Sequence, residues 1–116
     1  MVFYCEAGGH TPVLEWLEGL PEKALDKCVV RLERLRELGH ELRRPEADYL
    51  RDGIYELRVH FRTINYRILY FFHGRNVVVL AEGLTKEREV PERAIACAAE
   101  RKALFEKNPQ HHTARE

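Results

Sequence analysis

The sequence has no acidic residue between Glu56 and Glu82, no long hydrophobic run, no Cys-x-x-Cys spacing and no net charge. Each shortage excludes something. Residues 68–72 and 77–81, the strongly apolar stretches of the second half, are five residues each, far below the roughly 20 a membrane helix needs. A membrane-spanning helix is therefore not expected. The opening residues Met1-Val2-Phe3-Tyr4-Cys5-Glu6 offer neither a basic start nor a sustained apolar stretch, so no secretory leader is expected and a cytoplasmic location follows. Cys5, Cys28 and Cys97 are odd in number and sit in apolar company, as reduced core thiols do. No Gly-rich phosphate loop, His-x-x-x-His pair or Gly-x-Ser-x-Gly elbow occurs, so the common nucleotide, zinc and serine-hydrolase signatures are missing. The adjacent His111 and His112 read as part of a polar chain end, and no metal site is expected there.

What is present is 116 residues, 45% hydrophobic and 33% charged, a mixture suited to one soluble domain. Residues 2–5 are strand formers closed by Gly8-Gly9. Thr11-Pro12 opens a short helix with Leu14, Leu17 and Trp16 inward. From Glu22 to Leu38 the apolar positions Leu25, Cys28, Val29, Leu32, Leu35 and Leu38 recur at three and four, which predicts an amphipathic helix ended by Gly39. Residues 40–52 read as a loop with a short extended piece near Tyr49-Leu50. After Gly53 the period becomes two: Tyr55, Leu57, Val59 and Phe61 alternate with Glu56, Arg58, His60 and Arg62, a half-buried strand. Residues 66–72 and 77–81 follow as buried strands around the turn His73-Gly74-Arg75-Asn76. Short connections make these three an antiparallel meander. Pro91 opens a last helix with Ala94, Ile95, Ala98 and Phe105 on one face. The expectation is an α+β fold, one domain over residues 1–108 and a polar, disordered tail over 109–116.

Zero net charge argues at first against a nucleic-acid partner, but the charge is unevenly spread. Residues 1–50 carry seven basic and ten acidic side chains, and 51–116 carry twelve and nine. The acid-free stretch holds Arg58, Arg62, Arg67 and Arg75. A hairpin turn centred on Thr63-Ile64 would set His60 opposite Arg67 and Arg58 one diagonal step away. Such a face, bordered by Lys86 and Arg88, suits phosphates, and nearby tyrosines suit unpaired bases. His60, on the polar side of its strand, can exchange protons near neutral pH.

The ordered motifs Tyr55-Glu56-Leu57-Arg58, Tyr66-Arg67-Ile68-Leu69-Tyr70-Phe71, the stretch Gly83-Leu84-Thr85-Lys86-Glu87-Arg88-Glu89-Val90 and Pro91 resemble the HigB-type, phage-derived branch of the RelE/ParE toxin superfamily. The resemblance extends to about Asn108. It implies a RelE/ParE-like small antiparallel sheet with two N-terminal helices and a C-terminal helix. It also implies a ribosome-dependent, metal-independent mRNA endonuclease that needs no cofactor. The implied partners are the ribosome with its mRNA and a neutralising helix-turn-helix antitoxin, with operator DNA reached only through the antitoxin. By position, Arg58 and Arg67 fall on the family's basic strand positions, and Lys86 with Arg88 on its basic turn. Thr85 stands where the pattern has a lysine, and Glu87 and Glu89 interrupt the basic stretch. On this reading Arg58, Arg67, Lys86 and His60 are the catalytic candidates, and Arg62, Arg75 and Arg88 contact RNA phosphates. A non-catalytic binding module of the same fold and a gyrase-inhibiting, ParE-like toxin are the alternatives.

Overall fold

The computed structural model describes residues 1–85 and 88–115. Its elements in chain order are β1 (Val2–Tyr4), α1 (Pro12–Glu18), α2 (Glu22–Leu38), β2 (Ala47–Arg51), β3 (Ile54–Phe61), β4 (Ile64–His73), β5 (Val77–Thr85), α3 (Glu92–Lys107) and β6 (Thr113–Arg115). All six strands form one sheet in the order β2-β3-β4-β5-β1-β6. The expected three-stranded meander is thus four strands long and then extended at its β5 edge. β1 joins β5 in parallel, and β6 closes antiparallel on β1 with Val2 opposite Arg115. The sheet is mixed rather than antiparallel.

Helices cover both faces. Val13 and Leu17 of α1 and Ala24, Cys28, Leu32 and Leu35 of α2 pack on Leu57, Val59, Tyr66, Ile68, Val78 and Leu80. Ala94, Ile95, Ala98 and Phe105 of α3 pack on Ile54, Leu69, Phe71, Val79 and Ala81. Residues of opposite parity on the same strands meet different helices, which is why β4 reads as a nearly unbroken apolar run. The helices therefore lie on both sides of the sheet, not segregated to one. None of the helices is long and apolar enough to cross a membrane.

Several local expectations shift. Leu14 and Val29 are exposed, and Val13 and Ala24 take their places in the core. Cys28 is fully buried, which pushes its thiol up to about 11; Cys5 and Cys97 are half-buried. Residues 47–51, read mostly as loop, form β2. Asp52 and Gly53 between β2 and β3 have φ of 53° and 78°, both left-handed, as a two-residue type I′ hairpin turn requires. At the chain end, where a frayed tail is expected, a 3-10 turn (Pro109–His112) leads into β6. His112 stacks on Tyr4 and its Nδ1 lies 2.8 Å from the Cys5 carbonyl. Among the described residues no group of three or more His, Cys, Asp or Glu stands together as a metal site would need.

Candidate functional site

Strand alternation puts Ile54, Glu56, Arg58 and His60 of β3 on the α3 side of the sheet, with Arg67, Leu69 and Phe71 of β4 beside them. α3 covers the apolar half of that face and stops short of the charged half. The turn between β3 and β4 is Arg62-Thr63, with Phe61 opposite Ile64, and Arg62 takes a φ of 58°. This moves the turn by one residue, and the pairing by two, from the expected register. Arg58 stands directly opposite Arg67, and His60 opposite Asn65. Parity is kept, so the same side chains share the face, but two guanidinium groups now confront each other.

Like charges directly opposed across strands repel, and Glu56 is what holds them. It is 3% exposed and one oxygen, Oε1, accepts from Arg67 Nη1 at 2.9 Å and from Arg58 Nε at 3.1 Å. Arg58 also donates to Asp48 Oδ2 at 3.3 Å, an atom that Arg44 Nε reaches at 2.9 Å. The chain of alternating charge runs Arg44, Asp48, Arg58, Glu56, Arg67. Hydrogen bonding from Arg44 holds the Asp48 carboxyl below the usual range, and Arg34 does the same to Glu46. Arg31 joins from α2, donating to the Arg58 carbonyl at 3.1 Å.

Two clefts flank the arginine pair. One, of about 420 Å³, lies between Arg58, Arg67, Arg88 and the segment leading into α3. The other, of about 480 Å³, is lined by Arg31, Arg58, His60, Asn65, Tyr66 and Arg67. Arg67 is the deeper of the pair, its side chain 14% exposed against 39% for Arg58. Its Nη2 donates to the Arg88 carbonyl at 2.5 Å. Its Nε–H is buried and, among the described residues, has no acceptor, a deficit of about 1–3 kcal/mol for such a group.

The structure thus brings Arg58, Arg67, His60 and Arg88 around adjoining clefts. His60 is exposed, with Nδ1 2.8 Å from Asn65 Oδ1. Arg62 sits at the hairpin tip with its guanidinium over the Phe61 ring. Arg75 lies in the turn at the other end of β4, more than about 20 Å away at the strand rise, and does not join them. Lys86 and Glu87 lie outside the described residues. Thr85 accepts from Trp16 Nε1 at 2.9 Å. Glu56, Asp48 and Arg31 belong to the network although charge counting passed over them. The signal for Glu56 was its place: it is the acidic residue bordering the acid-free stretch, two positions before Arg58 on the same strand face.

Residues 15–103 match a family described as phage derived protein Gp49-like (DUF891). Comparison with curated proteins finds no match.

Proposed function

The chain belongs to the Gp49-like family of phage-derived proteins, part of the RelE/ParE-type toxin superfamily, and from that membership we propose that it is the toxin of a toxin–antitoxin pair and cleaves mRNA on the ribosome. The reading includes a RelE/ParE-like fold and an antitoxin of helix-turn-helix type. One observation carries it: Arg67 stands opposite Arg58 where two solvent-open clefts adjoin, with His60 lining one and Arg88 the other. A phosphate oxygen is the acceptor such a planar group is shaped for.

The chemistry needs little else. The 2′-hydroxyl oxygen attacks the adjacent phosphorus as a base removes its proton. The 5′-oxygen bond breaks and that oxygen takes a proton, leaving a cyclic phosphate and a 5′-hydroxyl. Arg67 and Arg58 stabilise the charge that builds on the phosphorane oxygens. His60 moves protons at the cleft rim, and Lys86 is the other candidate base. Arg88 and Arg62 hold flanking phosphates, whereas Arg75 would meet only a strand running the length of β4.

A second reading has its own support. Glu56 already occupies both arginines, and Thr85, in the place of a lysine, is tied to Trp16. A non-catalytic binding module would use the same face without chemistry. Expression with and without the neighbouring reading frame's product, followed by mapping of mRNA 5′ ends, separates the readings. The nuclease predicts cuts in translated messages that fall at least about 100-fold in Arg67→Lys, which keeps the charge and loses the fork. Growth arrest with intact mRNA and damaged DNA would point to gyrase instead, and unimpaired growth to the module.

A further inference from the structure

A further cleft, of about 600 Å³, meets the charge chain of the arginine pair at Arg44 and Asp48. It opens at the free edge of β2, on the opposite side of that strand from the arginine pair, and is lined by His40, Leu42, Arg43, Arg44, Tyr49 and Tyr55. His40 follows α2 and lies flat on Phe72, ring centroids 3.6 Å apart and planes within 19°. His40 is itself exposed, so its second face is open. Tyr49 is 52% exposed and meets Tyr55 edge to face at 5.1 Å. Arg43 is exposed and its guanidinium has no partner among the described residues. The acidic residue of this cleft, Asp48, is already bound by Arg44 and Arg58.

Resting on the RNA-cleaving reading above, we infer that this cleft is a second RNA subsite, which stacks one unpaired base on His40 and holds a neighbouring phosphate at Arg43. An aromatic face beside an unpaired guanidinium is the combination that single-stranded nucleic acid needs, since every base has a π-face and every link an anion. The path to the arginine pair is continuous. Arg44 at the cleft rim shares Asp48 Oδ2 with Arg58, and Tyr55 is three residues from Arg58 on β3, about 10 Å at the strand rise. A strand passing round the β2 edge reaches both. The subsite would fix which nucleotide sits over Arg67.

Fluorescence anisotropy with a labelled, unstructured oligoribonucleotide of about six residues, within the span of known single-strand sites, tests this on the full chain. His40→Ala is expected to weaken binding about fivefold or more, the loss of one stacked base, and His40→Phe to restore it. Arg43→Ala is expected to lower the slope of log affinity against log salt by about 0.7, one phosphate contact on a single strand. Arg43 is exposed, so melting of its variant should be unchanged, and His40→Phe keeps an aromatic ring on Phe72, so its melting should stay close to the parent's. Variants that bind like the parent while Arg67→Lys loses binding would overturn the subsite and leave the cleft reading standing. A parent that ignores the oligonucleotide but binds a Glu- and Phe-containing peptide through His40 would overturn it in favour of a protein-docking groove. Stacking-dependent binding without any cut in cellular mRNA would uphold the subsite and overturn the nuclease.

Discussion

Glu56→Gln isolates the charge on which the arginine pair depends. The substitution keeps the side chain's shape and one acceptor oxygen, and removes the negative charge between two opposed guanidinium groups. Removing one partner of a buried ion pair costs about 3–5 kcal/mol. Arg67 is close to that limit, whereas Arg58 is partly solvated and keeps Asp48, so its share falls to the surface range of about 0–1 kcal/mol. The retained oxygen offsets part of the loss, leaving an expected destabilisation of about 2–3 kcal/mol. For a domain of this size that is a fall in melting temperature of about 8–12 °C, read by calorimetry at neutral pH and low salt. The double variant Glu56→Gln with Arg67→Met should recover at least about 1 kcal/mol relative to the sum of the singles, because no unpaired charge is left buried. A melting temperature within about 2 °C of the parent for Glu56→Gln would refute the argument, since the two guanidinium groups would then not need the carboxylate.

Two further outcomes follow from the packing. Glu46 and Asp48 have carboxyls lowered by Arg34 and Arg44, so their contribution is complete above the ordinary carboxylate range near about 4. It disappears as pH falls through the lowered folded-state values. Stability should hold from neutral pH to about 5 and decline below it, less steeply in Arg34→Ala, and urea titrations across that window check both. A Cβ at Gly83 would stand 2.6 Å from Trp16 Cγ. Gly83→Ala should therefore cost about 1–3 kcal/mol by overpacking and shift the emission of Trp16, the chain's one tryptophan; unchanged emission and melting would refute the contact.

The elements with strong periodicity were legible in the sequence. α2 and α3 fall within a residue of their expected bounds, and the two faces of β3 are assigned correctly. β2 was obscured because an edge strand carrying Asp48 and Arg51 shows no apolar alternation, and its hairpin turn, Asp52-Gly53, marks a loop equally well. The pairings of β1 with β5 and of β6 with β1 join segments far apart in the chain, and no local pattern encodes them. The β3–β4 register turned on one residue: Ile64 pairs with Phe61 instead of sitting in the turn, because both pack against the α2-side core. That step replaces a histidine–arginine pair by an arginine–arginine pair, and so makes Glu56 the centre of the site. A count of charges by segment finds where acids are missing, but not which acid reaches back into the gap.

The strand order also bears on how the chain assembles. β2 to β5 are joined in sequence by turns of two or three residues, and such local pairings close quickly. β1 must wait for β5, and β6 for both. The arginine pair, Glu56 and Asp48 all lie within the strands that zip first, so the charged centre is expected to form in an early hairpin stack. The segments from the two ends of the sequence then dock on its β5 edge as the last step.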